Sequence, residues 1–371
     1  MNLYVADPDW GWWIVFYFFL GGIAAGAYFF ASLIDLLGGA SNRDLPRVGY
    51  GIAFPLILVC GLLLTIDLQR PERFWHMMFR SGQMHQALDE GWPNGGWGAM
   101  LQAPLLKRWS PMSVGSWALM IFGVCSGLSF LGGLWSDGRL SHLFRRGILG
   151  RLLQLVGSAV GFFVAAYTGT LLSATNQPLW SDTPWVAPLF LASAASTGAT
   201  VMILLSRLTG IGWPHSTVRL ERSDFLSLLI EFAVFAGFAL SITPWLAAIW
   251  GTTHGKLLLA GVPIIAIVLP LLCYAGQRKL PGAVIFAGVL ALVGGFLLRY
   301  AIVTTPPELL KMGPSAVAGG PELPLGTPES RTPWLGPIIS PEDGRLPGQR
   351  GADPGNRLAE PLPNSKVFDQ E

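Results

Sequence analysis

Histidine and cysteine are the side chains of this sequence that most often hold haem or metal ions. The five histidines, His76, His85, His142, His215 and His254, each lie outside the apolar stretches or at the end of one. A haem inside a membrane bundle needs axial histidines within the apolar spans, usually two that face each other. Their positions therefore argue against a membrane-embedded haem.

The three cysteines lie within apolar stretches and have no CxxC or CxxxC spacing. They are Cys60, Cys125 and Cys273. This pattern predicts no disulfide framework, iron–sulfur cluster or zinc site. If electrons pass through this protein, we expect the metal centres that exchange them to belong to another protein.

Among the ionisable residues inside apolar segments or at their ends, we single out Asp35, Asp67, Glu231 and Arg299. Charged groups are costly in lipid and usually serve a function or pair with each other. We consider all four as candidates for proton transfer. Asp35 ends its segment and could also simply face headgroups and water. Glu231 lies about 10 Å into its segment by the helical rise, which favours a function or an internal ion pair.

Polar aromatic residues gather at one end of the predicted segments. Trp13, Tyr17 and Tyr167 lie there together with Asp67 and Ser113. An interfacial aromatic belt would explain many such residues. It explains Tyr167 less well, because this tyrosine lies two turns below a segment end, and a buried tyrosine hydroxyl needs a hydrogen-bond partner. The two carbonyls of a quinone head group would supply one.

The composition shows which elements position these groups. Of 371 residues, 51% are hydrophobic and 12% are charged, whereas soluble domains carry about 25% charged residues. The sequence contains no run of basic residues of the kind that indicates nucleic-acid binding.

Eight stretches have the roughly 20 apolar residues of a membrane span. They lie near 12–37, 48–68, 114–136, 151–174, 185–206, 224–250, 256–277 and 282–304. We predict an all-α, eight-helix membrane protein made of two four-helix bundles.

Two parts of the sequence fall outside these segments. One is the loop 69–112, which is rich in tryptophan, methionine and arginine. The other is the tail 305–371, which follows the membrane domain 1–304 and holds 13 of the 28 prolines. This composition predicts an extended tail without a core. It is either disordered or laid over a partner protein, and its candidate anchors are Trp334, Leu335, Ile338 and Ile339.

The distribution of basic residues predicts the orientation. The loops after the odd-numbered segments hold eleven lysines and arginines, whereas the opposite side, without the tail, holds six. Short loops rich in positive charge stay in the cytoplasm. We therefore expect both termini on the outer side of the inner membrane, in the periplasm where there is one.

Four stretches resemble the NrfD/PsrC family, the integral membrane subunits of polysulfide-reductase-type molybdopterin complexes and of alternative complex III. They are WWIVFYFFLGGIAAGAY, DLQRPERFWHMM, SPMSVGSWAL and AAYTGTLLSATNQPLW. The second and third form the specific pair. Together the four stretches cover roughly residues 10–180, whereas residues 181–304 agree in hydropathy and number of spans only.

The resemblance implies a subunit without its own cofactor that oxidises or reduces menaquinone or ubiquinone near the outer face. It exchanges electrons with a docked ferredoxin-like iron–sulfur subunit, while a further, catalytic subunit performs the terminal reaction. Tyr167 matches the family's quinone tyrosine. Trp13 and Tyr17 occupy positions where the family pattern has an asparagine and a histidine, so Tyr17 and Asp67 are the candidate replacements.

We assign partner docking to the loop that follows the second segment, at Arg70, Arg73, Trp75 and His76. Two alternatives remain open. One is a proton-translocating coupling subunit like that of alternative complex III, which needs a series of acids across the bilayer, for example through Glu231 and Asp35. The other is a protein of a different class. It is either a secondary transporter, for which repeated halves with broken helices are expected, or a protein that only tethers its partners to the membrane.

Overall fold

The computed structural model describes residues 10–37, 44–68, 70–79, 107, 110–134, 138–175, 177–211, 214–276 and 282–311. Within these ranges the secondary structure is helical and contains no strand. Eight of the helices are long and apolar enough to cross a membrane. The predictions of an all-α fold and of eight membrane helices are confirmed.

We number these eight helices α1 to α8. Each exceeds the roughly 20 residues that span the hydrocarbon core. They are α1 (Trp12–Leu37), α2 (Leu45–Asp67), α3 (Pro111–Leu134), α4 (Ile148–Ser173), α5 (Val186–Thr209), α6 (Pro214–Ser241), α7 (Thr253–Gly276) and α8 (Ala283–Lys311).

The bounds of α6 differ most from the prediction of a segment at 224–250. The helix begins ten residues earlier, at Pro214, because a helix needs only its own backbone hydrogen bonds and continues through the polar residues before the apolar stretch. It ends at Ser241, just before Thr243–Trp245, where Pro244 has no N–H to continue the ladder. Leu246–Gly251 forms a separate short helix.

The last helix is also longer than the predicted segment. It continues through Pro306 and Pro307 to Lys311, so the first seven residues assigned to the tail are helical. Residues 312–371, including the candidate anchors Trp334, Leu335, Ile338 and Ile339, lie outside the described residues.

The eight helices form two four-helix bundles. In the first, α1 and α3 each pack against α2 and α4; in the second, α5 packs against α6 and α8, and α7 packs against α8 and α6. Helices α1 and α5 lie between the bundles and contact each other closely. A Cβ atom on Gly26 would collide with the Ala194 carbonyl, and one on Gly198 with the backbone of Gly26. Such small residues allow helix backbones to approach within a membrane protein.

Helix α7 is irregular, whereas its counterpart α3 in the first bundle is continuous. Leu257–Gly261 and Pro263–Val268 are π-helical turns within it. Its backbone passes very close to α8, since a Cβ atom on Gly294 would overlap Ala266. A transporter built from repeated halves would have matching breaks in both halves, and the described residues contain no such pair.

The bundles have two ends, which we name after the ends of α1. The Trp12 end is where α1 begins, and the Leu37 end is where it ends. At the Trp12 end the loop between α4 and α5 buries Trp180, whose indole stacks on Trp10 at 5.2 Å and donates a 2.7 Å hydrogen bond to the carbonyl of Ile302. This contact joins the start of α1 to α8.

Candidate functional site

Two tyrosines lie at the Trp12 end of the first bundle, one on α1 and one on α4. Tyr17 on α1 is buried, and the Cys60 thiol of α2 donates to its carbonyl at 3.8 Å. Tyr167 on α4 packs its ring against Gly115 of α3. The two phenol groups are close enough to interact electrostatically. The structure therefore brings together two of the residues predicted to bind a quinone.

The hydroxyls of the two tyrosines differ in how they are bonded. The Tyr167 hydroxyl donates a 2.7 Å hydrogen bond to the carbonyl of Pro111, at the start of α3. The Tyr17 hydroxyl makes no hydrogen bond to any described residue. The Tyr17 hydroxyl is therefore available to a ligand as a donor and an acceptor.

A short segment after α2 covers the start of α3. The carbonyl of Met78 accepts hydrogen bonds from the Ser113 hydroxyl and the Trp117 indole, both at 3.3 Å. The carbonyl of His76 accepts one from Lys107 Nζ at 2.7 Å. Ser113, predicted to bind quinone, therefore holds this segment in place.

The remaining predicted residues of this end lie nearer the surface. Trp13 is 48% exposed and does not share the interior position of Tyr17. Asp67, the last residue of α2, is partly exposed and forms no ion pair with Arg70 or Arg73, which are both exposed. The side chain of Trp75 lies outside the described residues, as do 80–106 of the predicted docking loop.

At the opposite end of the first bundle, Asp35 forms an ion pair inside the protein. Its carboxylate accepts two hydrogen bonds from Arg145, at 2.8 and 2.9 Å. Gln154 donates to Asp35 at 3.4 Å and to the carbonyl of Arg145 at 3.0 Å, and the Arg145 guanidinium lies over the ring of Tyr50. Arg145 belongs to a π-helical turn, His142–Arg146, between α3 and α4. Asp35 thus helps to hold this turn against α1.

In the second bundle, Glu231 and Arg299 belong to one buried polar cluster. Ser196 of α5 donates to the Glu231 carboxylate at 2.6 Å, and Ser193 lies about one turn earlier on the same helix. Arg299 of α8 donates to the Ser193 hydroxyl at 2.6 Å. It also reaches Gly22 of α1, where an added Cβ atom would lie 3.0 Å from its Nη2. The cluster therefore extends to the contact between the bundles.

Sequence reasoning missed a second buried acid on α6. The carboxylate of Asp224 accepts a hydrogen bond from Tyr274 of α7 at 2.5 Å and one from Thr200 of α5 at 3.2 Å. Its other oxygen, Oδ1, is buried and has no hydrogen bond to a described residue. Nearer the Leu37 end, Arg207 of α5 donates to Glu221.

Together these residues form a column along one face of α6: Glu221, Asp224, Ser227 and Glu231. At 100° per residue, the three acids lie within about 80° of each other on the helix. The signal was present in the sequence, but the predicted segment began at 224, so Asp224 counted as an end residue and Glu221 as part of a loop. Asp35 and Glu231 lie in different bundles, and no described hydrogen bond connects them.

Among the described residues, no group of three histidine, cysteine, aspartate or glutamate side chains could hold a metal ion. His254, in the first turn of α7, has both ring nitrogens next to protein groups. Its Nε2 lies 3.1 Å from the hydroxyl of Tyr300. Its Nδ1 lies 2.8 Å from a carboxylate oxygen of Glu308.

Comparisons with known proteins agree with this architecture. A family model described as "Polysulphide reductase, NrfD" matches residues 6–306. The sequence is 26% identical to Protein NrfD of Escherichia coli over 320 residues, 79% of this protein and 93% of that one. It is 28% identical to one chain of the polysulfide reductase of Wolinella succinogenes over 327 residues, 79% and 92% of the two proteins. A subunit of the selenate reductase of Mesobacillus selenatarsenatis is 30% identical over 78 residues, 21% of this protein and 18% of that one.

Proposed function

Because the protein belongs to the NrfD family, we propose that this multi-pass membrane protein is the quinone-reactive subunit of a respiratory oxidoreductase complex. The observation that carries the proposal is the pair of tyrosines at the Trp12 end of the first bundle. One of them, Tyr17, is a buried residue whose hydroxyl makes no hydrogen bond to a described residue. Among the described residues, no hydrogen bond brings a charged side chain to either tyrosine. Uncharged surroundings with hydrogen-bonding hydroxyls suit a quinone ring.

We propose different roles for the two tyrosines because their hydrogen bonds differ. Tyr17 donates its proton to a quinone carbonyl. The proton of Tyr167 already goes to the carbonyl of Pro111, so its oxygen accepts a hydrogen bond from the hydroxyl of the reduced form, quinol. Asp67, at the end of α2 and outside any described ion pair, takes up or supplies the protons that accompany the two electrons. The terminal reaction takes place elsewhere, so this protein is not an enzyme by itself.

The electrons pass between the quinone and an iron–sulfur cluster in a partner subunit that docks at the Trp12 end. Arg70 and Arg73 are exposed there, and charged side chains on a rim guide the encounter of two proteins. The relatives from polysulfide reductase and selenate reductase are themselves parts of larger reductases. Another subunit of such a complex would hold the terminal catalytic site.

The orientation follows from the basic residues at the Leu37 end. Arg139 and Arg146 are exposed there, and α6 starts at the same end with Arg219 and Arg222. Loops rich in positive charge stay in the cytoplasm. We therefore place the Trp12 end, the quinone site and both termini on the outer side of the inner membrane.

The experiment that tests the quinone site compares three single substitutions in the assembled complex. Tyr17→Phe and Tyr167→Phe each remove one hydrogen bond to the ring, so quinone turnover is expected to fall about threefold to tenfold. Tyr300→Phe, at the same end but in the second bundle, is the matched control and keeps wild-type turnover. The measurement is steady-state turnover, with assembly checked by the amount of each partner that co-purifies. Unchanged turnover in both first-bundle variants would contradict the assignment.

The column along α6 favours a second candidate function, proton translocation coupled to quinone chemistry. It begins at the Leu37 end with Glu221, continues to Asp224, and reaches Glu231 about 10 Å further along the helix axis. Buried acids in membrane helices usually mark such paths. Arg299 then connects Glu231 with α1 and thus with the bundle that holds the quinone site.

A substitution that keeps the shape of the column tests this second function. Glu231→Gln can still accept the hydrogen bond from Ser196, but it cannot carry a proton. We expect quinone turnover to continue while the ratio of translocated protons to electrons in sealed vesicles falls. Glu308→Gln, at a glutamate of the Trp12 end outside the column, is the control. If Glu231→Gln retains the wild-type ratio, the column does not conduct protons.

A further inference from the structure

A long cleft runs between α2 and α3 on the outside of the first bundle. Its volume is about 670 Å³, and its walls are almost entirely apolar. At the Trp12 end it begins under Phe74, Met77 and Met78, and it continues along both helices to Phe54 and Leu131. The stretch of α2 that lines it, from residue 54 to residue 68, is about 21 Å long by the helical rise.

Two glycines leave this cleft open. A Cβ atom on Gly61 of α2 or on Gly123 of α3 would meet nothing within 4 Å. Glycine in a membrane helix usually marks a place where two helices touch, yet these two touch no neighbour among the described residues. Further along α3, a Cβ atom added to Gly127 would lie 2.9 Å from the ring of Phe54, because this ring occupies the space beside Gly127. The cleft is therefore open from the Trp12 end and narrows toward Phe54.

Each of the other three seams of the first bundle contains a close contact at a glycine. At each of them a side chain or backbone fills the space beside a glycine, so that a Cβ atom there would collide with its neighbour. The closing contacts are Gly49 with Ala31 between α2 and α1, Gly157 with Tyr28 between α4 and α1, and Gly115 with Tyr167 between α3 and α4. Gly61 and Gly123, between α2 and α3, have no such contact among the described residues, so this seam offers space for a hydrocarbon tail.

The mouth of the cleft adjoins the quinone site. Met78 lines the cleft, and its carbonyl is held by Ser113 and Trp117. Ser116 also lines it and directly follows Gly115, the residue against which Tyr167 packs. A ring beside Tyr167 thus lies about one helical turn from the cleft.

The lining suits a hydrocarbon tail. The two hydroxyls in its wall are both bonded within their own helices, Thr65 to the carbonyl of Gly61 at 2.7 Å and Ser116 to that of Met112 at 2.9 Å. Among the described residues, no ionisable side chain lines it. Methionine side chains at the mouth adapt to irregular ligands.

We propose that this cleft binds the polyprenyl tail of the quinone whose ring lies between Tyr17 and Tyr167, and that the quinone enters from the lipid through it. This inference rests on the proposed quinone site and adds the place of the tail and the route of entry. The tail gains affinity in proportion to the apolar surface that it buries against the cleft. The ring is held by hydrogen bonds, so ring and tail recognition are separable.

The test fills the cleft without disturbing the fold. Gly61→Leu and Gly123→Leu both place a side chain in open space. Gly51→Leu, on the same helix α2 and with equally open surroundings, lies outside the cleft and is the matched control. Each variant is assayed in the assembled complex with two quinones that share one ring, one with a long polyprenyl tail and one without a tail.

We expect the two cleft variants to raise KM for the long-tailed quinone about tenfold, as for the loss of roughly two buried methylene contacts. KM for the tailless quinone and kcat for both stay at wild-type values, and Gly51→Leu changes neither. Equal effects on both quinones, or no effect on the long-tailed one, would overturn the inference. So would loss of partner subunits from the cleft variants, since the cleft would then be a contact with another protein's helix.

A wild-type complex that turns over neither quinone would instead refute the proposed quinone site, and this inference with it. The two failures are therefore distinguishable, because one appears in the wild type and the other only in the pattern of the variants.

Discussion

The first bundle buries its polar groups as hydroxyls, two thiols and the Gln154 amide, with a single described ion pair in its interior at the Leu37 end, whereas the second buries three carboxylates and an arginine along α6 and α8. Around Tyr17 and Tyr167 the hydrogen-bonding neighbours are uncharged. Around the column on α6, hydroxyls of α5 donate to acids. The difference is consistent with the two functions proposed above, since a neutral ring and a mobile proton need different surroundings. It also separates charges that hold the fold from charges that are available for chemistry.

The largest effect is expected where the first bundle does contain a charge. Asp35→Asn removes the negative charge that Arg145 faces with two hydrogen bonds inside the protein. Breaking a buried pair by removing one partner costs about 3–5 kcal/mol of stability. We expect a marked fall in the melting temperature of the purified protein and in its yield.

The double variant Asp35→Asn/Arg145→Met is the control for this prediction. It removes both charges and is expected to recover much of the lost stability, because no uncompensated charge is left in the interior. If Asp35→Asn is as stable as the wild type but loses proton translocation, Asp35 acts in proton transfer, and the contrast between the bundles fails.

A smaller effect separates two tyrosines of the same helix. Tyr28 donates to the carbonyl of Leu153 and shares a hydrogen bond with Ser129, both at 2.9 Å. Tyr28→Phe leaves these buried groups without their partner, which costs about 1–3 kcal/mol. Quinone turnover per assembled complex is expected to stay at the wild-type value. Thermal melting and turnover of the same preparation measure both quantities.

The matched variant is Tyr17→Phe, whose hydroxyl bonds no described residue. It should keep the wild-type melting temperature and lose turnover. If Tyr28→Phe lowers turnover and Tyr17→Phe lowers stability, the roles of the two tyrosines are reversed, and the quinone site lies deeper in the bundle.

Hydropathy alone predicted the number of membrane helices, because the cost of exposing polar groups to lipid acts on every residue of a span. It predicted the ends less well. For α6 it placed the start at 224, although the helix begins at Pro214. A helix ends where its backbone hydrogen bonds end, and these continue beyond the apolar stretch. In the sequence, only a proline such as Pro244 makes such an end visible.

The candidate site was predicted in part. Residue type and depth selected Tyr17 and Tyr167 on separate helices, and the structure brings them to the same end of one bundle. Residue type could not show that Trp13 faces outward, since a helix of apolar residues has no obvious inner face. Asp224 was missed because the predicted segment began at this residue, and its partners, Thr200 and Tyr274, come from two other helices.

The sequence by itself determined that this protein crosses the membrane, how many times, and which ionisable residues the lipid would have to tolerate, because these depend on composition along one helix at a time. Only the tertiary structure decided which of those residues are paired. It placed Asp35 beside Arg145, Glu231 beside Ser196, and left open the seam between α2 and α3. Pairing depends on how each helix is rotated relative to its neighbours. Small residues such as Gly26 and Gly198 set this rotation through contacts between positions that are far apart in sequence.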